Sequence, residues 1–179
     1  MLGGRALRAR GQRIVMAKAE VHIKIRKAEA DDAKEIEPLY LELMNLHALK
    51  LPNIFASEIK VDLDEIKNDI GEFDYFYVVT IDKKVIGYMK GRYKNIEESL
   101  FVKERDMIML TDLIIKEEYR NRGIGKKMLD FIEEEAKIKN ISSIEIPVYS
   151  FNEQAKGFYN KNGYNSYLER ELKIVTSTK

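Results

Sequence analysis

M-I-M-L-T-D-L-I-I-K-E-E-Y-R-N-R-G-I-G, Met107 to Gly125, decides the fold of this 179-residue chain. The apolar run, Met107–Leu110 and then Leu113–Ile115, reads as a buried strand. A charged turn, Lys116–Tyr119, follows. Arg120-Asn121-Arg122-Gly123-Ile124-Gly125 then opens a helical pattern. The first N–H groups of a helix lack intrahelical partners and together carry about half a positive charge. A glycine there lets a phosphate approach them without a Cβ in the way. Arg120 and Arg122 add forked donors suited to phosphate oxygens. The Walker loop does not fit, because no glycine lies five residues before Gly125. The dinucleotide fingerprint fails at its third position, Met128. The pattern that remains is R-x-x-G-x-G between a strand and a helix.

Outward from this centre, the chain holds one domain's worth of residues, 45% of them hydrophobic. A formal net charge of +1 sets up no global field for nucleic acid or an acidic membrane. With no cysteine, disulfides, a thiol nucleophile and thiolate metal sites are excluded. Two histidines cannot build a histidine-rich metal site, and no calcium-loop spacing occurs. No apolar run reaches the ~20 residues of a membrane span. The expected compartment is the cytoplasm. Residues 1–20 stand apart, with Arg5, Arg8, Arg10 and Arg13 against one acidic residue, Glu20. They read as a disordered basic leader before a single domain at 21–175, with 176–179 frayed. A nucleic-acid arm is the sharper alternative for the leader.

Val21–Arg26 alternates as a half-buried strand. A helix follows from Ala30, with Asp32 and Glu35 spaced as a capping box. Ile36, Leu39, Tyr40, Leu43, Leu46 and His47 share its apolar stripe, and Pro38 is a kink point. Asp62 and Glu65 cap a second helix that Gly71 ends. Tyr75–Ile81 and Val85–Tyr93 are strands joined at Asp82-Lys83-Lys84. Gly87 and Gly91 mark a bulge or a close backbone approach. A loop, Asn95–Arg105, leads to the central strand. After the helix that Gly125 opens, Ser143–Tyr149 is a strand containing Pro147. The proline cannot donate to a ladder, so the strand loses a neighbour there. Asn152–Lys161 is a short capped helix, stopped at Asn162-Gly163. Tyr164–Tyr167 and Leu168–Val175 read as two late strands.

The Arg120–Gly125 hexapeptide resembles motif A of the GNAT family of acetyl-CoA-dependent N-acetyltransferases. About thirty residues on, Y-S-F-N-E-Q-A-K-G-F-Y-N-K-N-G-Y resembles the family's motif B, N-x-x-A-x-x-F-Y-x-x-x-G-[FY], at Asn152, Ala155, Phe158, Tyr159, Gly163 and Tyr164. Two motifs in order are far more specific than either alone, and the resemblance covers about Val21 to Val175.

It implies an α/β (α+β) GNAT fold: a central mixed, mostly antiparallel sheet, splayed between its fourth and fifth strands and flanked by about four helices. Acetyl-CoA is then the co-substrate, with no metal. The backbone of Leu113, Ile114 and Ile115 would pair with the pantetheine arm. The amides from Arg120 through Asn121, Arg122, Gly123, Ile124 and Gly125 to Lys126 would hold the pyrophosphate. Asn152 would contact the cofactor, and Tyr159 would protonate the departing thiolate. For the base, Asp112 and a water chain are both open; Glu104 and Asp106 lie nearby in sequence. The acceptor would meet Tyr40, His47, Asn53, Phe55, Tyr88 and Tyr93. It is a small-molecule amine or a protein N-terminus or lysine. Nucleic acid and membrane are not expected partners, and a homodimer is compatible with the reading. The alternative function is a GNAT-fold module that binds acyl-CoA without turnover.

Overall fold

β4, Arg105–Ile115, is the hinge of the sheet. The computed structural model describes residues 22–175. The leader 1–20 and the tail 176–179 lie outside the described residues. Five strands run in sequence order: β1 (Ile23–Lys27), β2 (Tyr75–Ile81), β3 (Lys84–Ile96), β4 and β5 (Ser143–Glu145). All pair antiparallel except β4 with β5, which is parallel. Helices α1 (Ala33–Lys50), α2 (Leu63–Glu72), α3 (Ile124–Ile138) and α4 (Glu153–Lys161) flank the sheet. The mixed, mostly antiparallel sheet with four helices is the expected architecture.

Both faces of the sheet are covered, so β2 is buried along nearly its whole length. Its period of two divides the side chains between two cores. Tyr75, Tyr77 and Val79 pack with Ile124, Met128, Leu129 and Ile132 of α3. Phe76 and Val78 pack with Ile36 and Leu39 of α1 and Ile66 of α2. Complete burial of each such aliphatic side chain stabilises by about 1.5–3 kcal/mol.

A bulge in β4 decides where its polar residue points. The register with β3 runs Gly91↔Leu110 and then Lys90↔Asp112, so Thr111 is the extra residue. Ile108 and Leu110 face α3 before the bulge, and Leu113 and Ile115 face it after. Asp112 and Ile114 are thereby turned to the α1–α2 face. Gly91 lies at the bulge, and a Cβ there would come within 2.8 Å of the Met109 carbonyl oxygen.

β4 and β5 touch at only three pairs, Met107↔Ser143, Ile108↔Ile144 and Met109↔Glu145. Beyond Met109 one edge of β4 is open, and this is the splay. The strand expected over Ser143–Tyr149 therefore ends at Glu145, two residues before the proline.

Other boundaries differ from expectation for local physical reasons. Asp32 does not cap α1 with its side chain. Its carboxylate takes the Glu29 N–H at 2.8 Å and both arms of the Arg26 guanidinium at 2.7 Å. Glu35 instead accepts from the Val85 N–H at 3.0 Å, which ties α1 to β3. α1 continues through Pro38. Gly71 lies inside the last turn of α2, which ends at Glu72. β3 runs on to Ile96, because its pairing with β4 continues to Arg105. The two late strands do not form. Residues 164–175 join no ladder, and Leu168, Leu172, Ile174 and Val175 are exposed. Alternation in a sequence does not by itself make a strand.

Candidate active site

The turn from β4 into α3 is built to leave N–H groups open. Asn121 (φ 59°) and Gly123 (φ 77°) both sit in the left-handed region and fold the backbone back before the helix. Gly123 is the N-cap of α3 and no side chain caps it. The first helical bond runs from Lys127 N to the Gly123 carbonyl at 3.1 Å, so Ile124, Gly125 and Lys126 have no intrahelical acceptor. Nothing lies within 4 Å of where a Gly123 Cβ would be, whereas a Cβ on Gly125 would meet the Phe158 ring at 2.9 Å. Gly125 is thus where the two sequence motifs pack together.

The arginines are placed differently from one another. Arg120 donates Nε–H to the Ile115 carbonyl at 2.8 Å and pairs with Glu42 of α1. It braces the turn rather than presenting a free fork. Arg122 lies 5.4 Å from the centre of the Tyr119 ring. Lys126 is paired with Asp130 on the helix surface. The backbone, with Arg122 beside it, is what the turn offers an anion.

Replacing Gly123 by Val should weaken CoA binding by roughly tenfold or more, because a β-branched residue resists positive φ. Gly123→Asn, which tolerates that region, should lose far less. Calorimetry with CoA on both variants separates backbone shape from bulk; equal affinities in wild type and the Val variant would remove the turn from the phosphate site.

The open edge of β4 follows from ladder alternation. Lys116 N–H donates to the Ile86 carbonyl of β3 at 2.8 Å. Alternation turns the Ile114 backbone to β3 as well, and Leu113 and Ile115 toward the splay. The Ile115 carbonyl is taken by Arg120. Of the three residues expected to meet a pantetheine arm, Leu113 presents the freest backbone.

Asp112 sits on the floor of the splay, its side chain only 10% exposed. Its Oδ2 accepts from the Tyr88 hydroxyl at 3.2 Å and faces Lys90 Nζ at 3.3 Å. Lys90 is itself buried and bonds Asp69 of α2 at 2.7 Å and the Tyr40 hydroxyl at 3.4 Å. Asp112 Oδ1 has no hydrogen-bond partner among the described residues, yet no buried side-chain oxygen or nitrogen there lacks one. Oδ1 therefore opens onto accessible space. Burial pushes the Asp112 carboxyl up, and the Lys90 ammonium pulls against it.

Tyr159 stands on α4, whose N-terminus is fixed by Asn152 accepting the Ala155 N–H at 3.0 Å. The Tyr159 hydroxyl, by the same reasoning, is unpartnered and accessible among the described residues. Burial, with the Asp112 charge adding to it, pushes its pKa up to about 12. His47 feels the same carboxylate; burial lowers its pKa and Asp112 opposes this. The Asp112 charge thus acts on both Tyr159 and His47.

The residues expected to line an acceptor site divide in two. Tyr40 and Tyr88 stack at 6.4 Å beside Lys90 and Asp112. His47 and Phe55 stack at 5.2 Å in a separate group with Tyr149 and Phe151. Tyr93 stands apart with Asp106, bonded at 2.6 Å toward the far end of β4. Sequence reasoning missed Lys90, Asp69, Glu42, Tyr149 and Phe151. A lysine next to the bulge glycine Gly91, and two aromatics just before the motif cap Asn152, were the available signals. Among the described residues no cluster of His, Asp or Glu could hold a metal ion, and no helix is long and apolar enough to cross a membrane.

Comparison with known proteins bears on the family and the fold. The chain is 26% identical over 160 residues to thialysine N-epsilon-acetyltransferase of Bos taurus, covering 83% of this chain and 88% of that protein. An uncharacterised N-acetyltransferase from the pepI 3′ region of Lactobacillus delbrueckii subsp. lactis is 25% identical over 95 residues, 53% of this chain. There the match spans about half of the relative, 54% of its length. Among solved structures, a tetramutant of the BH1408 protein from Bacillus halodurans superimposes with a TM-score of 0.77 at 25% identity, over 84% of this chain and 99% of that one. The aminoglycoside N-acetyltransferase AAC(6')-Iy in complex with CoA shares the fold, with a TM-score of 0.67 at 14% identity, over 90% of this chain and 99% of that one. The acetyltransferase (GNAT) family model matches residues 40–164, more than two thirds of the sequence and both motifs. The chain belongs to the GNAT family of acetyl-CoA-dependent acyltransferases.

Proposed function

We propose that this protein transfers an acetyl group from acetyl-CoA directly to the nitrogen of a small-molecule primary amine. The observation that carries it is the pair of groups without hydrogen-bond partners among the described residues, Asp112 Oδ1 on β4 and the Tyr159 hydroxyl, which lies within electrostatic reach of Asp112. One can receive a proton while the other gives one. The uncapped amides of Ile124, Gly125 and Lys126 suit the pyrophosphate, and the Leu113 backbone suits the amide-bearing arm.

An amine with a pKa of about 10 arrives as an ammonium and must lose a proton to attack. Asp112 Oδ1, directly or through one water, accepts it; the raised affinity that burial gives the carboxyl makes it a stronger base than an exposed aspartate. The nitrogen then forms a bond to the acetyl carbon as the carbon–sulfur bond breaks. The Tyr159 hydroxyl supplies the proton that the leaving thiolate takes, and the nitrogen's second surplus proton, released as the amide forms, restores that hydroxyl through water. The Leu113 N–H is the donor for the carbonyl oxygen. No enzyme nucleophile is needed, in keeping with a chain that lacks cysteine. The bovine relative's named substrate favours a small molecule over a protein N-terminus.

The test is release of free CoA from acetyl-CoA with a panel of primary amines and short peptides. Amine-dependent release that saturates with a small amine supports the reading. Acetyl-CoA binding without release to any amine would overturn it in favour of a non-catalytic module.

A further inference from the structure

Four aromatic rings meet outside both hydrophobic cores. His47 comes from α1, Phe55 from the loop after it, and Tyr149 and Phe151 from the segment between β5 and α4. His47 is central: its ring lies 5.2 Å from Phe55, 4.8 Å from Tyr149 and 5.9 Å from Phe151. Tyr149 stacks on Phe151 at 5.9 Å, and Phe55 meets Tyr149 edge-on at 5.5 Å. None of the four belongs to either buried cluster, and Tyr149 is 42% exposed. An aromatic group that no core requires, where α1 and the loop after it meet the segment between β5 and α4, is a wall for a ligand.

His47 lies within electrostatic reach of Asp112, whose charge is set by the residues around Lys90. Lys90 is shared by Asp69 and Asp112, so two carboxylates face one ammonium and one negative charge is left over. Asp112 Oδ1, without a hydrogen-bond partner among the described residues, carries that charge. The carboxylate of Glu42, also on α1, is already held by Arg120. His47 adds no positive charge near neutral pH, since burial favours its neutral form against the pull of Asp112. The site therefore combines ring faces with a single uncompensated carboxylate.

We propose that the acceptor is a singly charged primary alkyl- or arylalkylamine, its apolar body against His47, Phe55, Tyr149 and Phe151 and its ammonium on Asp112. This rests on the direct-transfer reading above. The rings bury the chain and favour the cation next to their faces. A polycation such as a polyamine or an aminoglycoside would bring charges for which the wall has no partner. The balance of the reaction is unchanged. One ammonium proton passes to Asp112, the carbon–nitrogen bond forms, the carbon–sulfur bond breaks, the thiolate is protonated from Tyr159, and the nitrogen's second surplus proton returns to Tyr159 through water.

The experiment is steady-state acetylation of hexylamine, phenethylamine, spermidine and kanamycin at saturating acetyl-CoA. Wild type, Tyr149→Ala, Phe151→Ala and Phe151→Glu are compared, with CoA affinity measured by calorimetry on each. Wild type should prefer the two monoamines in kcat/KM. Each alanine variant should raise KM for hexylamine about tenfold, the scale of a lost ring contact with a cation and its chain. CoA affinity should stay within twofold. Phe151→Glu, which adds a second carboxylate, should move the preference toward spermidine. A wild type that prefers spermidine or kanamycin overturns the inference, as does an unchanged hexylamine KM in both alanine variants; direct transfer survives either result. Turnover of none of the four amines, with CoA still bound, removes the inference as well.

Discussion

Tyr159→Phe lowers kcat by about 10²- to 10⁴-fold, the span expected when a positioned general acid is lost, and leaves KM for acetyl-CoA nearly unchanged. The reason lies in what the hydroxyl does and does not touch. The ring packs against Phe158 at 5.3 Å and Tyr164 at 6.0 Å, contacts a phenylalanine keeps. The hydroxyl has no protein partner among the described residues, so its removal leaves no buried group unsatisfied. Folding stability should therefore fall by less than about 1 kcal/mol. With a pKa raised to about 12, Tyr159 stays protonated across the working range. It is a donor to a thiolate and not a base for an ammonium, so the wild-type rate should show no fall from this group below about pH 11. Initial rates from pH 6 to 10, with CoA affinity measured in parallel, check the claim. A kcat within threefold of wild type would reduce Tyr159 to a packing residue.

The same residue shows how much was legible in the sequence. Motif B placed Asn152, Ala155, Phe158 and Tyr159 at helical spacing behind a capping residue, and α4 forms there. β2 was equally plain, because seven residues rich in rings and β-branches between turn signals have one good conformation. The turn at Arg120–Gly125 was legible as a backbone shape, but the use of Arg120 was not. Its partner, Glu42, lies 78 residues away, and nothing local links the two. Asp112 was legible only as a strand carboxylate. Its side of the sheet depends on the single extra residue Thr111, and register is a property of two strands at once. Lys90 looked like an ordinary polar position of a half-exposed strand; burial by α2 made it the centre of a charge network. The late strands failed in the opposite sense, since the alternation of Leu168–Val175 is real but the segment joins no ladder.

That network makes Lys90→Met the second large effect. Lys90 is 5% exposed, with its ammonium 2.7 Å from Asp69 and 3.3 Å from Asp112. The rings of Tyr40 and Phe73 lie 4.6 Å and 4.8 Å from it and complete its surroundings. Burial disfavours the ammonium, but Asp112 and Asp69 outweigh this and raise its pKa above 10.5. A lysine so raised contributes stability that is whole below pH 10.5 and is lost as pH climbs through the folded-state value. Methionine nearly keeps the volume and removes the charge, leaving two carboxylates facing each other with no cation between them. Breaking a buried pair from one side costs about 3–5 kcal/mol, so Lys90→Met should lose that much in denaturant unfolding near neutral pH. Its stability should also recover toward acid pH, as the stranded carboxyls take up protons, where wild type shows no such gain. Adding Asp69→Asn and Asp112→Asn to Lys90→Met should restore a large part of the stability, because a neutral site no longer holds unpaired charge. Activity should not return, since the carboxylate that receives the ammonium proton is gone. If the single variant loses less than about 1 kcal/mol, or the triple variant recovers turnover with stability, Asp112 is not the charge on which the site is built.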